Sequence, residues 1–366
     1  VPDTASAACP RVLHLVTDPR RRGAQNLARD LHGELLARGA PSAVAALQPH
    51  PDAPAGDPLP VLGPARFHPA TLRALRAAAA RADVVVAHGS STLPACAAAL
   101  LGSRTPFVYV GIGDPRHWTA TPARRLRVAA ALRRAAAVTA LSDGARDVLL
   151  EHFRLRPERV RTIPNGRAAD RYPPAAGPGD RLAARRALGL PPDVPLAAAV
   201  GALAPEKRVD LAVDAVTRTP GAHLAVAGEG PLRAALEEHA AVLAPGRIHF
   251  LGGLPDPAVL YRAADALVLG SDSEGVPGVL IEAALAALPA VATDVGWVRE
   301  AVVDGATGVL VPPGDAQALA DGLGKVLGGD RTTLGAAARR RALDRFELGV
   351  VADAWQALVA EVAAGR

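Results

Sequence analysis

Short apolar runs recur along this chain, each closed by a glycine or polar turn and followed by a stretch with helical spacing of its apolar residues. That alternation points to parallel sheets in α/β layers, because two parallel strands can be joined only by a long crossover, usually a helix. In the first half the strand-like runs are 11–16, 83–88, 107–110, 138–141 and 160–166. In the second they are 196–200, 224–227, 248–251, 266–269, 290–292 and 308–311. A helix is expected over 25–37, with Leu27, Leu31, Leu35 and Leu36 along one face. At 366 residues the chain is too long for one ordinary core. The run Pro173-Pro174-Ala175-Ala176-Gly177-Pro178-Gly179 is the clearest linker signal. The expected organisation is a first domain over 1–175, a second over 176–348 and a closing helix over 349–366. Both domains read as doubly wound and Rossmann-like, with ligands at the carboxyl ends of their strands, facing a central cleft.

The strongest chemical signal is Ser273-Glu274-Gly275-Val276-Pro277-Gly278-Val279-Leu280-Ile281-Glu282, which follows the buried-strand run at 266–269. A strand, a glycine turn and a helix start make an anion site, since the first helical N–H groups are unpaired and carry the positive end of the dipole. Pro277 near that start costs no hydrogen bond. Glu282 falls about one turn into the helix, placed to accept from hydroxyl groups, and Glu274 precedes the turn. A phosphate cradle between two carboxylates suits a nucleotide-sugar. The bland alternative, solvated glutamates on a surface loop, is the commoner fate of Glu.

Charge is distributed unevenly. Residues 1–190 hold 27 arginines against 14 acidic residues, while 191–366 hold 14 basic residues against 22 acidic ones. A basic first half suits an anionic partner such as a membrane surface or a phosphorylated acceptor. Arg124, Arg125, Arg127, Arg133 and Arg134 interleave with apolar residues as on a basic amphipathic helix, or simply as a solvated face. Nucleic acid is the poorest fit among anionic partners and none is expected: three tyrosines, five phenylalanines and three tryptophans leave few stacking platforms, and no zinc-finger spacing occurs. Cys9 and Cys96 offer neither a disulfide framework nor a metal set, and both read as small buried residues. No run is long and apolar enough for a transmembrane helix, and no signal peptide is visible, so a cytoplasmic protein is expected, at the inner face of the plasma membrane if the basic half engages lipid. No D-x-D, Walker A or G-x-S-x-G sequence occurs, and no metal is expected.

Several further motifs lie in a fixed order. They are Ile163-Pro164-Asn165-Gly166, Val200-Gly201-Ala202-Leu203-Ala204-Pro205-Glu206-Lys207 and Val226-Ala227-Gly228-Glu229-Gly230-Pro231. Ala290-Val291-Ala292-Thr293-Asp294-Val295-Gly296, Glu300-Ala301-Val302-Val303-Asp304-Gly305 and Gly308-Val309-Leu310-Val311-Pro312-Pro313-Gly314-Asp315 complete the series. With the E-x7-E element, this series resembles the retaining GT-B glycosyltransferases of family 4. The resemblance covers residues 163–315 and thins before residue 120.

The resemblance implies a metal-independent, anomer-retaining transfer of a hexosyl group. The donor would be a UDP- or GDP-sugar serving as co-substrate, with no further cofactor. The acceptor would be a hydroxyl of a sugar, lipid-linked or small-molecule partner in bacterial glycan, glycolipid or cell-envelope synthesis. It implies that Lys207 and Gly201 meet the donor phosphates and that Glu282 binds the ribose. Glu274 and the backbone of Gly275, Val276, Pro277, Gly278 and Val279 would meet the sugar and diphosphate. Gly23, at a helix start, matches the family's glycine loop near the diphosphate, and the segment around His249 matches the one whose backbone meets the base. Gly228 and Gly230 would let backbone approach the nucleotide, although a tight turn explains the same glycines. Lys207 and Glu274, with His88 on the acceptor side, are the expected catalytic residues. The closing helix is expected to cross back to the first domain. Three departures stand out: Ala202 where many members carry a second phosphate-binding arginine, Gln25 where glutamate is common, and no histidine in 109–114, where Asp114 or His117 would have to serve. The rivals are a GT-B nucleotide-sugar epimerase or phosphorylase and a non-catalytic sugar-nucleotide-binding protein.

Overall fold

The computed structural model describes residues 9–20, 23–53, 56, 58–114, 116, 119 and 121–365. One unit holds the chain up to Gly166 together with Leu348–Arg366, and a second holds Arg167–Glu347. The division thus precedes the proline-rich run. Arg167 already belongs to the second unit, because its backbone N–H donates to the Phe346 carbonyl at 2.8 Å and its Nε to the Glu282 carboxylate at 2.8 Å. The prolines lead instead into the helix Pro178–Ala187.

The first unit is built on six parallel strands: β1 Val12–Val16, β2 Ser42–Ala46, β3 Val84–His88, β4 Phe107–Gly111, β5 Ala137–Ala140 and β6 Val160–Thr162, in the order β2-β1-β3-β4-β5-β6. Five of the six match apolar runs legible in the sequence; β2 does not, being an alanine-rich edge strand that starts on a serine. β1 and β3 are buried along their whole length, as expected of central parallel strands covered on both faces. The first helix spans Gly23–Ala37 and buries Leu27, Leu31 and Leu35, while Leu36, a further 100° round the helix, is half exposed. The last helix, Leu348–Ala364, completes this unit by burying Val351, Ala352, Trp355, Leu358 and Val359. Arg38 ties the two helices together, donating from Nη2 to the Gly349 carbonyl at 2.9 Å, from Nη1 to Gln356 Oε1 at 2.9 Å and also to Asp353. The arginine-rich segment forms the helix Pro122–Leu132. Arg125 and Arg133 donate to the carbonyls of His152 and Phe153, at the end of the helix Asp143–Phe153. Cys96 is buried as expected, whereas Cys9 is exposed.

Two histidines meet in this core. His14 of β1 and His88 of β3 are 1% and 0% exposed, and His14 Nδ1 lies 3.0 Å from His88 Nε2, with Trp355 beside them. Burial holds His14 well below the usual histidine range and pushes His88 down to about 3. Both are therefore neutral when folded.

The second unit repeats the plan with β7 Leu196–Val200, β8 His223–Ala227, β9 Ile248–Gly252, β10 Ala266–Leu269, β11 Ala290–Thr293 and β12 Gly308–Val311, in the order β12-β11-β10-β7-β8-β9, again all parallel. Its core packs Leu224, Val226, Val268 and Val291 of the sheet against Leu211, Val216, Leu319 and Leu323 of the flanking helices. At the amino edge of this sheet, buried Asp265 accepts from the Leu196 N–H at 2.9 Å, from Arg185 at 2.8 Å and from Arg181, and it forms an ion pair with Arg331 at 2.8 Å. Among the described residues, no helix is long and apolar enough to cross a membrane.

Two outcomes follow from these cores. Only the unfolded chain protonates His14 and His88 near their ordinary pKa, so the unfolded state binds more protons, and stability falls as pH drops below about 6.5. The loss is about 1.4 kcal/mol per pH unit for each imidazole. Urea unfolding at pH 7.5 and 5.5 checks this: the pH dependence should shrink in His14→Gln/His88→Gln relative to the unsubstituted protein. Asp265→Ala leaves Arg185 buried without its carboxylate and should cost about 3–5 kcal/mol in the same measurement.

Candidate functional site

In the second sheet the chain runs outward from β7 to β8 and β9 on one side, and from β10 to β11 and β12 on the other. β7 and β10 are therefore neighbours whose following segments diverge, which opens a crevice at their carboxyl ends. The motifs around Lys207 and Glu274 are the two segments that leave those strands.

After β7, the turn Pro205–Lys207 carries Lys207 back over the crevice, where its Nζ donates to Glu274 Oε1 at 2.7 Å. The Glu274 side chain is 8% exposed and that of Lys207 29%, so the cation is the partner open to a ligand. Ser271 Oγ donates to the same Glu274 oxygen at 2.7 Å, and Thr293 Oγ1 holds the Ser271 carbonyl at 2.6 Å. The two segments are joined directly, the Asp272 N–H donating to the Glu206 carbonyl at 3.0 Å. Gly296, at φ +52°, seals the far side: a Cβ there would fall 1.9 Å from the Glu274 carbonyl oxygen. Arg208, next to Lys207, turns away to Asp210 and Asp272 and does not replace the arginine missing at 202.

The glycines at 228 and 230 have a packing reason in the backbone around them. A Cβ on Gly228 would lie 1.7 Å from the Gly201 carbonyl oxygen, and one on Gly230 would lie 2.4 Å from that of Leu203. The Gly201 N–H donates to Ala227 and the Leu203 N–H to Glu229, both backbone to backbone, at 3.0 and 2.9 Å. These glycines let the segment after β7 lie on the turn after β8, and so fix the approach to Lys207.

After β10, the chain passes half-buried Gly275 and buried Val276 and Pro277 into the helix Gly278–Leu285. Pro277 is the N-cap, one residue before the first helical position, and no side chain caps the first turn. Gly278 and Val279 are partly accessible there. Glu282 lies one turn in, 9% exposed, with both oxygens engaged: Arg167 Nε donates to Oε1 at 2.8 Å and Tyr261 Oη to Oε2 at 2.9 Å. Each carboxylate oxygen has two lone-pair sites, so hydroxyl acceptance is still open to it. Burial, and then Glu282, raises the Tyr261 hydroxyl well above its ordinary value, which keeps it a donor. Neither Arg167 nor Tyr261 is picked out by the sequence pattern, since they lie 115 and 21 residues before Glu282.

Other expected residues are placed elsewhere. His88, expected to act on the acceptor side, turns its ring into the core of the first unit, where it is wholly buried against His14 and neutral. His249 stands near the amino end of β9, with its ring stacked on His223 and its Nε2 3.1 Å from His223 Nδ1, so its side chain belongs to the opposite end of the sheet from Lys207. Gly23 does open the first helix and is exposed. Beside it, Gln25 donates to Asp18 at 3.4 Å, and Arg20 holds the buried Asp18 below the usual carboxylate range. Asp114 accepts from Arg116, and His117 lies outside the described residues. Among the described residues, no three His, Cys, Asp or Glu side chains gather in a way that could hold a metal ion.

The chain matches the family model for glycosyl transferases group 1 over residues 180–341 and the model for Glycosyltransferase Family 4 over residues 21–171. It is 40% identical over 200 residues to the D-inositol 3-phosphate glycosyltransferase of Nocardia farcinica, covering 51% of this chain and 43% of that protein. The enzyme of the same name from Mycobacterium avium is 36% identical over 194 residues, covering 50% and 44%. These matches span less than half the length of those relatives. Among solved structures, Anabaena Alr3699/HepE in complex with UDP and glucose superposes with a TM-score of 0.84 at 22% identity, over 96% of this chain and 100% of that one. Sucrose-phosphate synthase from Thermosynechococcus elongatus gives 0.81 at 23%, over 97% and 100%. The order of the strands, the segments carrying Lys207 and Glu274 at the switch point of the second sheet and these likenesses lead to one conclusion: the chain belongs to the group 1 glycosyltransferases of GT-B fold.

Proposed function

We propose that the chain transfers a hexosyl group from a UDP- or GDP-sugar to a hydroxyl acceptor, with retention at the anomeric carbon and without a metal ion. The observation that carries this reading is the placement of Lys207, held on Glu274, beside the uncapped first turn of the helix Gly278–Leu285. In such a transfer the bond from the anomeric carbon to the diphosphate breaks, and a bond to the acceptor oxygen forms on the same face. The acceptor proton passes to the departing phosphate. Negative charge builds on the diphosphate, and fixed donors aimed at that charge lower the barrier most. Lys207 and the N–H groups from Gly278 onward are such donors, and Glu274 keeps Lys207 in place before the donor arrives. The nucleotides held by similar structures support the donor class.

The acceptor belongs to bacterial glycan, glycolipid or cell-envelope synthesis. The exposed Arg124, Arg127 and Arg134 suit an anionic acceptor or the cytoplasmic face of a membrane. A second reading, sugar-nucleotide binding without transfer, is favoured by the burial of His88, which withdraws the histidine expected on the acceptor side.

Thermal unfolding with UDP, GDP, ADP and their sugar conjugates tests the donor site. A ligand at a hundred times its Kd stabilises by about 2.7 kcal/mol, so one nucleotide should raise the Tm by several degrees. No shift with any of them removes the reading. Transfer then separates the two roles: with a working acceptor, Lys207→Ala should lower kcat by roughly 10²–10³-fold, whereas binding without turnover on a broad acceptor panel favours the second reading. Gly230→Ala should cost about 1–3 kcal/mol through the clash with Leu203, and it should weaken nucleotide binding although the residue need touch no ligand.

A further inference from the structure

We propose that Arg167 is a positioning and charge-balancing residue of the diphosphate site, acting where position 202 supplies no cation. The inference rests on the donor-site reading above. Arg167 is 4% exposed, and its Nε donates to Glu282 Oε1 at 2.8 Å. Its guanidinium also lies over the first residue of the helix Gly278–Leu285, since a Cβ on Gly278 would fall 2.2 Å from Arg167 Nη2.

A cation parked at the positive end of a helix is unfavourable unless an anion accompanies it. Glu282 is that anion in the unliganded protein, and a diphosphate settling at the same helix end is favoured by both the guanidinium and the dipole. The surrounding charges make Arg167 necessary. Lys207 is matched by Glu274, and Arg208 is flanked by both Asp210 and Asp272. Without Arg167, Glu282 would add a buried and unbalanced negative charge one helical turn from the phosphates. With it, that carboxylate is neutralised and its Oε1 fixed, while Tyr261 fixes Oε2 at 2.9 Å.

This role differs from simply shaping a ribose pocket, and the ratio of two dissociation constants tells them apart. Calorimetric titration with UDP and uridine, or with GDP and guanosine, gives the contribution of the phosphates as Kd(nucleoside)/Kd(nucleotide). Arg167→Met should lower that ratio by about tenfold or more, Arg167→Lys by less, and Arg167→Met/Glu282→Gln should lie between Arg167→Met and the unsubstituted protein. If Arg167→Met does not fold, the same drop is expected between Glu282→Gln and the double variant, in which no buried carboxylate is left unpaired. A ratio that stays constant while both ligands weaken overturns the proposal and leaves Arg167 as a support for the ribose contact. An Arg167→Met protein that binds as tightly as the unsubstituted one overturns it as well. If the unsubstituted protein binds neither UDP nor GDP, the donor-site reading itself fails and the proposal falls with it.

Discussion

The site of the second unit depends on a single topological event, the reversal of strand order between β7 and β10. Neighbouring parallel strands normally hand their chains on in one direction, and the loops above them crowd together. Here the chain leaves β7 on one side and β10 on the other, so two loops flank an opening instead of filling it. Lys207 stands on one lip and Glu274 on the other, and their 2.7 Å contact spans it. Without the reversal the segments that leave β7 and β10 would not part to leave this opening.

Holding those lips in place is mainly the work of backbone. Gly228, Gly230 and Gly296 each sit where a single added carbon would overlap a carbonyl oxygen of a neighbouring segment. The crevice is therefore bordered by chain packed on chain, which has fewer rotameric alternatives than a wall of side chains. The polar links are short and local: Thr293 to the Ser271 carbonyl, Ser271 to Glu274, Glu274 to Lys207. Such a relay sets the position of the cation before any ligand is bound, which is the sense in which an electrostatic site is preorganised.

Much of this was legible in the sequence, for identifiable reasons. Central parallel strands are buried on both faces and advertise themselves as unbroken apolar runs, which is why β7 and β10 coincide with the stretches 196–200 and 266–269. The edge strand Ser42–Ala46 has no such run and leaves no comparable signal. Leu36 follows Leu35 in the sequence but not on the helix face. A histidine at the end of a strand reads the same whether its ring turns into the core or out of it, and His88 turns in. Arg167 and Tyr261 are invisible for another reason: each meets Glu282 only through the folded chain, and no spacing rule links them. The glycine pair at 228 and 230 was visible as a motif, but its cause lay in the segment after β7.

The membership of the last helix in the first unit has a consequence for how the protein is made. The second unit is one continuous stretch of chain, Arg167–Glu347, and can close its core as soon as it has been synthesised. The first unit begins earlier yet lacks Trp355 and its neighbours until the whole second unit has been synthesised, and Arg38 must wait for Asp353, 315 positions later. Contacts that distant in sequence carry a large loop-closure cost until the intervening chain has become compact. Of the two units, the one whose chain begins earlier is thus completed later, and the part of β3 around His88 lacks its Trp355 cover while the second unit is being built.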